Sequence, residues 1–476
     1  MTQTYLIGID GGSQSSKVTI FTAEGHVVCE ASQPLAPMHT PRSGVAEHPD
    51  DDLYDSVVVA ARRAVAQFPG DLADVVGIGL CTIRCCRALV RGDGTLAAPV
   101  QSWMDDRLSR AYDPDGNPEV AYVTTSSGYL MGRLTGERSD TVANYIGPWP
   151  VDVRAWDWCS DPETFDAFQV PREMLYELQM PGQVGGHLTP AAADLMGLPA
   201  GLPVVHTAND KATEALGAGL ASRGGLVSLG TYIAGMVLGE EYVPSSEHFF
   251  INFAAEPGRY LYESGGIRRG MWTVTWLKDL VGAEARLAAE AAGLSVEDHL
   301  NALAAAVPAG SDGLLCVLDW LAPPTEPHKR GMFLGFDERH GYAHMYRAIL
   351  EGIALRMRLT MTAMERELDS PIEWLTVSGG GSHSDVAMQI LADVFDMPVR
   401  RNTVRNAAGL GAAMCAAVAC AVHPSVEEAT HRMVHPADVF TPDAARARLY
   451  RDLRNIYADI PSQTDPVLTR LHSLLQ

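Results

Sequence analysis

One glycine-rich stretch near the start of the chain combines a carboxylate, three hydroxyls and a cation. Asp10 is followed by two glycines and three serines within residues 11–16, and then by Lys17. Glycines allow backbone N–H groups to approach a phosphate closely, and hydroxyls and an ammonium group can complete such a site. A carboxylate at the same place can face the metal ion that accompanies nucleotide phosphates. The stretch is therefore a candidate phosphate-binding loop, although an ordinary glycine-rich hairpin has the same composition.

The segments around this stretch decide which kind of phosphate loop it could be. Residues 5–9 form a short apolar run, residues 18–21 form a second, and residues 26–31 form a third after a turn at Gly25. These runs predict a β-meander with the glycines in its first hairpin. A dinucleotide-binding loop or a P-loop requires a helix after its glycines, because the helix N-terminus faces the phosphates. The sequence therefore favours a phosphate hairpin over either of those loops.

The same pattern returns in the middle of the chain. Residues 226–238 predict a strand, a tight turn at Gly230 and Thr231, and a second strand. This is a weak internal repeat of the first hairpin, and it suggests two related halves. We therefore predict two lobes, residues 1–223 and residues 224–476, with the two glycine turns facing each other across a cleft.

A third glycine-rich loop differs from the first two because a helix follows it. Residues 374–377 predict a strand, residues 378–382 (Ser-Gly-Gly-Gly-Ser) a loop, and residues 384–395 a helix. Either Ser382 or Ser384 is a suitable N-cap for that helix. Glycines ahead of a helix N-terminus suit a backbone surface that lies against a nucleotide.

The composition limits the partners that the chain can have. Its 476 residues suffice for two or three domains, and 47% hydrophobic and 20% charged residues are ordinary for a globular enzyme. The net charge of −22 argues against a broad nucleic-acid or anionic-membrane surface. No stretch resembles a membrane span or a secretory leader, which favours a cytoplasmic protein. Cys81, Cys85 and Cys86 cluster without the second cysteine pair or histidine of a zinc site.

These motifs, in this order, resemble the FGGY family of carbohydrate kinases over about residues 4–425. Residues 10–17 are similar to the family's first phosphate motif, residues 228–231 to its second, and residues 378–382 with residues 389–393 to its adenosine motif. The resemblance implies an α/β protein with the duplicated ribonuclease H-like (actin/hexokinase-type ATPase) fold, two lobes and a cleft between them. Further family-like segments are residues 44–47, 103–107, 134–137 and 351–354.

The resemblance also implies an ATP-dependent kinase that uses Mg²⁺ and phosphorylates an alcohol group of a small sugar or polyol. Asp210 precedes an alanine-rich helix and would ordinarily be its N-cap, but its position between the two hairpins and the resemblance make it the predicted general base. Lys211 could lower the pKa of Asp210, steer phosphate or lie on the surface. The other implied site residues are Asp10 for the metal; Gly11, Gly12, Ser13, Ser15, Lys17, Gly230 and Thr231 for the ATP phosphates; Gly379, Gly380, Gly381 and Ser382 for the adenosine; and Arg84, Trp103, Asp105 and Arg107 for the acceptor.

Two departures from the family pattern leave the acceptor open. The segment between Arg107 and Leu134 is short and lacks the Pro-Lys-x-x-Trp signature of most relatives. The loop after Leu80 lacks the Gln-Met-His-Gly of xylulokinases and keeps only the arginine, Arg84, of the glycerol-kinase and autoinducer-2-kinase versions. We expect a pentulose such as xylulose or ribulose. A short polyol (glycerol or erythritol) or an autoinducer-2-like compound is the alternative.

The same sequence features are compatible with functions of other classes. One is a catalytically weak, nucleotide-gated sugar sensor on the same fold, and another is an ATPase activator, which the cysteine spacing disfavours. DNA binding is disfavoured because the chain has neither a helix-turn-helix nor a basic extension. The sequence leaves the oligomeric state open, a homodimer included.

Overall fold

The computed structural model describes residues 3–113, 116–145, 147, 149–323 and 325–475. Its two large sheets and several two-stranded ones are built from the strands β1 Tyr5–Gly11, β2 Ser15–Thr22, β3 Val27–Pro34, β4 Glu47–His48, β5 Val75–Thr82, β6 Ala88–Val90, β7 Val100–Gln101, β8 Tyr122–Thr124, β9 Ser139–Thr141, β10 Val151–Asp152, β11 Asp157–Trp158, β12 Glu177–Gln179, β13 Val184–His187, β14 Pro203–Asn209, β15 Gly224–Leu229, β16 Ile233–Gly239, β17 Phe249–Phe253, β18 Tyr260–Ser264, β19 Leu315–Val317, β20 Met332–Leu334, β21 Trp374–Ser378, β22 Val399–Asn402 and β23 Pro436–Phe440.

Helices cover the faces of both large sheets. They are α1 Asp52–Gln67, α2 Ser126–Thr135, α3 Pro162–Phe168, α4 Pro190–Met196, α5 Asp210–Gly217, α6 Gly270–Leu280, α7 Gly282–Ala291, α8 Val296–Ala306, α9 Tyr342–Leu368, α10 Asp385–Phe395, α11 Ala407–Ala419, α12 Val426–Met433 and α13 Ala444–Leu474. Within the described ranges, no helix combines the length and the apolar character that crossing a bilayer requires.

The first sheet has the order β13-β14-β5-β1-β2-β3. β1, β2 and β3 form the predicted antiparallel meander, whereas β1, β5 and β14 run parallel to one another. β1 and β5 are almost fully buried, which matches their continuous apolar sequences, because helices cover both faces of a parallel sheet. α1 packs on β2 and β3, and α11 packs on β1 and β5.

The second sheet repeats the pairing pattern of the first. Its order is β17-β18-β16-β15-β21-β22-β23, in which β15, β16 and β18 form an antiparallel meander and β15, β21 and β22 run parallel. β23 closes the parallel side antiparallel to β22, as β13 does beside β14. The weak repeat seen at the two glycine turns therefore extends over two whole sheets. The predicted division between residues 223 and 224 falls immediately before β15 and stays a prediction.

Helix α11 follows the second sheet's parallel strands in the chain but packs on the first sheet. A Cβ atom on Gly8 of β1 would lie 1.9 Å from the carbonyl oxygen of Gly409, and one on Gly79 of β5 would lie 1.9 Å from that of Ala412. Only glycine allows backbone to approach backbone so closely. α11 also lies against α5, so the helix lies beside the element that begins with Asp210.

Candidate active site

Three parallel strands of the first sheet end at one edge, and the candidate residues lie there. Thr82 of β5 is paired with Asn209 of β14, and Asp10 of β1 is paired with Cys81. Arg84 and Asp210 come directly after these paired positions. Ligands of open α/β sheets bind at the carboxyl ends of the strands, so this edge is the candidate site.

Asp210 is the first residue of α5, but it is not the helix cap. The Asn209 side-chain oxygen accepts hydrogen bonds from the backbone N–H groups of Lys211 and Ala212, both at 3.1 Å. Asn209 therefore satisfies the exposed end of the helix. The carboxylate of Asp210 is left available for another purpose.

One carboxylate oxygen of Asp210 is buried without a hydrogen-bond partner among the described residues. Its Oδ1 accepts no hydrogen bond from any described residue. Burial raises the pKa of Asp210 above its usual range, and the positive charges of Arg84 and Lys211 oppose part of that rise. A buried, unpartnered carboxylate costs stability unless a ligand uses it. These properties suit a carboxylate that accepts a proton from a substrate hydroxyl.

Asp10 lies at the end of β1, directly across the hairpin from Lys17. Burial raises the pKa of Asp10 to about 6, Lys17 lowers it, and Asp210 raises it again. The described residues contain no group of three or more His, Cys, Asp or Glu side chains able to hold a metal ion. Mg²⁺ is commonly held by one or two carboxylates together with substrate phosphates and water. The single carboxylate of Asp10 fits that arrangement: it would hold Mg²⁺ together with nucleotide phosphates, and the ion would supply positive charge there.

The two glycine turns contact each other across the cleft. The Gln14 amide donates to the hydroxyl of Thr231 at 3.5 Å, although 217 residues separate them in the chain. The first turn is closed by the Gly12 N–H, which donates to the Ser15 carbonyl oxygen at 3.1 Å. The first turn, which carries the predicted phosphate residues Gly11, Gly12, Ser13 and Ser15, thus touches the second turn at Thr231, and Lys17 follows it on β2.

The start of α6 fixes the second turn. The N–H groups of Gly270 and Met271 donate to the carbonyl oxygens of Thr231 and Gly230 at 2.9 and 3.2 Å. These two carbonyl groups therefore face helix α6, which holds the turn in place.

Lys211 takes part in a buried network that joins helix α5 to the second sheet. Its Nζ donates to Glu214 at 2.9 Å and to Ser228 at 2.7 Å, and Glu214 also accepts from Ser378 at 2.6 Å. Ser228 and Ser378 are paired at the ends of β15 and β21. The side chain of Lys211 is only 15% exposed, so the alternative of a surface role is excluded.

Glu214 was not singled out from the sequence. The hydrogen bonds from Ser228 and Ser378 and the charge of Lys211 outweigh its burial and lower its pKa. The only sequence signal for it is the spacing of three residues from Lys211 on a helix, which brings the two side chains together. Because it binds residues of three elements, Glu214 fixes α5, and with it Asp210, against the second sheet.

The third glycine-rich loop, residues 378–382, follows β21 as predicted; it is called the adenosine loop below after the ligand that the sequence predicts for it. Gly379 has a φ of +81°, residues Gly380–His383 form a short 3-10 turn, and the Ser382 hydroxyl donates to the Gly379 carbonyl oxygen at 2.7 Å. Ser384, rather than Ser382, is the N-cap of α10, since its hydroxyl accepts from the Ala387 N–H at 3.2 Å. A cavity of about 260 Å³ borders this loop, lined by Ser378, Ser382, His383, Arg401 and Asn402 among others.

Arg401 holds the adenosine loop from the neighbouring strand β22. Its guanidinium group donates to the carbonyl oxygens of Ser382 and His383 at 3.2 and 3.4 Å. Two carboxylates, Asp385 and Asp438, each 2.7 Å away, orient the same group. Sequence reasoning missed Arg401, because only the parallel pairing of β21 and β22 brings it to the loop.

Arg84 is bound to a residue of the other sheet. Its two terminal nitrogens donate to the two carboxylate oxygens of Glu263, at 2.8 and 2.9 Å, and its guanidinium lies 5.3 Å from the ring centre of Phe250. Glu263 is fully buried in β18 and also accepts from the Asn252 amide at 3.0 Å. The carboxylate outweighs the effect of burial and raises the pKa of Arg84 further. The pair fixes Arg84 just beyond the end of β5, from where its positive charge lowers the pKa of Asp210.

The other predicted acceptor residues are arranged differently. Asp105 and Arg107 bind each other at 2.6 Å, and Arg107 also binds Glu47 at 2.6 Å. Burial opposes ionisation of Asp105, but the hydrogen bonds from Arg107 and the Ala46 N–H outweigh it and lower the pKa of Asp105. Trp103 is 47% exposed. Asp105 and Arg107 are therefore bound to each other, whereas Trp103 is partly exposed to solvent.

Comparison with known proteins identifies relatives along the whole chain. Residues 225–420 match the C-terminal domain of the FGGY family of carbohydrate kinases, and residues 110–217 match its N-terminal domain. The chain is 48% identical to an uncharacterized sugar kinase, YgcE, of Escherichia coli strain K12, over all of this chain and 97% of the relative. It is 25% identical to xylulose kinase of Lactococcus lactis over 98% of both chains. The crystal structure of xylulose kinase from Rhodospirillum rubrum, also 25% identical, superposes with a TM-score of 0.79 over 98% of this chain and all of that one.

Proposed function

Since the chain belongs to the FGGY family of carbohydrate kinases and is an ATP-dependent sugar kinase, we propose that its acceptor is a pentulose such as xylulose or ribulose. The predicted family and the predicted duplicated two-lobed fold are both confirmed. The pentulose is supported by the names of the two xylulose kinases, each similar over nearly the full length. A primary hydroxyl of that sugar is the proposed point of attack.

The observation that carries the proposed mechanism is the unpartnered Oδ1 of Asp210. As the general base, Asp210 accepts the proton of the attacking hydroxyl while that oxygen bonds to the γ-phosphorus of ATP. The bond from phosphorus to the β,γ-bridging oxygen breaks, and ADP leaves. Arg84 lies beside Asp210 and offers its remaining N–H donors to neighbouring hydroxyls of the sugar.

Phosphoryl transfer asks the protein mainly to position the reactants and to neutralise charge. We assign the phosphates to the two glycine turns, with Lys17 supplying a positive charge from β2 and backbone N–H groups supplying hydrogen bonds. Asp10 is the residue proposed to hold Mg²⁺, which supplies positive charge to the phosphate oxygens when it is bound. The adenosine is assigned to the loop of Gly379, Gly380, Gly381 and Ser382.

A substrate panel tests the proposed acceptor. Purified protein is incubated with ATP, Mg²⁺ and one of D-xylulose, D-ribulose, erythritol, glycerol or an autoinducer-2 mimic, and ADP release is measured. We expect the highest kcat/KM with a pentulose. A higher kcat/KM with erythritol, glycerol or the autoinducer-2 mimic would replace the pentulose with that alternative. ADP release with none of them, although ATP binds, would favour a nucleotide-gated sensor.

A further inference from the structure

The ion pair between Arg84 and Glu263 determines the electric charge that an acceptor meets at the site. Both terminal nitrogens of the guanidinium are bound to the two oxygens of one carboxylate, at 2.8 and 2.9 Å. The pair is well shielded from water, with exposures of 18% for the Arg84 side chain and 0% for Glu263. An arginine paired in this way still has unused N–H donors, but the carboxylate already neutralises its positive charge.

The pair lies where the acceptor must lie if Asp210 is the base. Arg84 comes two residues after Thr82, whose strand partner Asn209 directly precedes Asp210. The charges of Arg84 and Glu263 both act on the ionisation of Asp210. Glu263 approaches from β18 of the second sheet, so the pair spans the cleft beside the base.

The neighbouring cations are matched by carboxylates as well. Lys211 is bound to Glu214 at 2.9 Å, and Lys17 faces Asp10 across the hairpin. A sugar acid would therefore bring an additional negative charge next to buried carboxylates, with no unpaired cation among these to receive it. Burying an unpaired charge is costly, whereas a hydroxyl needs only the donors that Arg84 still offers.

We infer that Glu263 is a specificity-determining residue that selects uncharged acceptors and rejects sugar acids by neutralising Arg84. The inference rests on the proposed kinase site. We call it the charge rule: the site accepts uncharged acceptors and rejects negatively charged ones. Glu263 acts through Arg84, so its removal frees a guanidinium group that a carboxylate can bind in a bidentate manner.

Two five-carbon probes that differ in charge test the inference. D-xylulose and D-xylonate both carry a primary hydroxyl, and only xylonate carries a carboxylate. We measure kcat/KM for ATP-dependent phosphorylation of each, together with direct binding of each by calorimetry, for the wild type, Glu263→Gln and Glu263→Thr. Removal of the charge should shift the xylonate-to-xylulose ratio toward xylonate by about 10- to 100-fold, the value of one strong charged hydrogen bond.

Glu351→Gln is the matched control. Glu351 is also buried and binds an arginine, Arg347, at 2.7 Å, but the pair lies between α9 and Tyr450 of α13. We expect this substitution to leave the xylonate-to-xylulose ratio unchanged. Comparable thermal unfolding of the three Glu variants shows that the ratio does not report on folding.

The possible outcomes separate this inference from the proposed pentulose. If the wild type phosphorylates or binds xylonate as well as xylulose, the charge rule is wrong. It is also wrong if both Glu263 variants keep the wild-type xylonate-to-xylulose ratio. Equal loss of activity toward both compounds would likewise contradict it, because that result is expected if Glu263 only holds the structure together. If xylulose proves to be no substrate, the pentulose proposal fails, while a gain of xylonate binding in the Glu263 variants still supports the charge rule.

Discussion

Replacing Asp210 with Asn removes a proton acceptor and leaves the shape of the side chain almost unchanged. The asparagine keeps the size and most of the hydrogen-bonding capacity of the aspartate, and the helix cap is unaffected because Asn209 provides it. The carboxylate oxygen that is lost has no partner among the described residues. We therefore expect Asp210→Asn to fold normally and to bind both ATP and sugar nearly as well as the wild type.

The expected loss of activity follows from the role of a positioned base. General base catalysis contributes about 10²- to 10⁴-fold to a rate, so kcat should fall by this factor while KM for each substrate changes little. This corresponds to about 3 to 5 kcal/mol in the barrier. The free energy of unfolding at neutral pH should stay the same or rise slightly, because a buried unpaired charge has been removed.

The pH profile gives a second readout. Since burial raises the pKa of Asp210, the wild-type kcat/KM should fall with decreasing pH at a value above the usual range of an aspartate. This acid limb reports a group that must be ionised to accept a proton, and it should be absent from the residual activity of Asp210→Asn.

Steady-state kinetics with a confirmed substrate, together with thermal unfolding, check these expectations. Asp161→Asn is the matched control, because Asp161 caps α3, a helix that contributes none of the residues assigned to the site, and its replacement should leave kcat unchanged. An Asp210→Asn variant that keeps most of its kcat would refute the assignment of Asp210 as the base. A variant that unfolds would instead point to a structural role.

Three further substitutions address the nucleotide side of the cleft. Asp10→Asn should raise the free energy of unfolding, measured without Mg²⁺, by about 3 kcal/mol above pH 6 and should leave it unchanged below pH 4. The reason is that the pKa of Asp10 is raised to about 6 in the folded protein, so the wild type loses stability as the pH rises from 4 to 6. Thermal unfolding across pH checks this effect, and a Mg²⁺ titration should show that the variant needs more Mg²⁺ for activity. Gly380→Leu should raise KM for ATP by about tenfold or more and leave KM for the sugar unchanged. A Cβ atom at Gly380 would have no neighbouring atom within 4 Å, so the leucine side chain would occupy the open space where we place the nucleotide. An unchanged KM for ATP would show that the adenosine binds elsewhere. Arg401→Lys keeps the charge but loses the forked donor, so KM for ATP should rise about fivefold while kcat is retained; an equal loss for both substrates would contradict a role limited to the adenosine loop.

The hairpins and the adenosine loop were predictable because their signals are local. Short apolar runs separated by glycine-containing turns predicted strands at residues 5–9, 18–21 and 26–31, and the observed β1, β2 and β3 contain or overlap these runs. Turn residues determine such hairpins almost alone. The repeat of the pattern at Gly230 then gave the duplication.

The partners of the candidate residues were not predictable, because they come from distant parts of the chain. Arg84 and Glu263 are separated by 179 residues, and Glu214 and Ser378 by 164. No spacing in a single sequence encodes such contacts, since the topology of the two sheets creates them. For the same reason, the sequence could not show that Arg107 binds Glu47, 60 residues away.

The packing of α11 on the first sheet has a consequence for synthesis of the protein. Gly8 meets Gly409, and Gly79 meets Ala412. The last strand of the first sheet, β14, ends at Asn209 and α11 begins at Ala407, so the completed sheet lacks one of its covering layers while the ribosome adds about two hundred more residues. At about 5 to 20 residues per second, that interval lasts on the order of 10 to 40 seconds. Throughout it the nascent chain exposes an apolar sheet face, a target that general chaperones recognise. The N-terminal half should therefore mature only after translation is nearly complete, rather than as an independent early-folding unit.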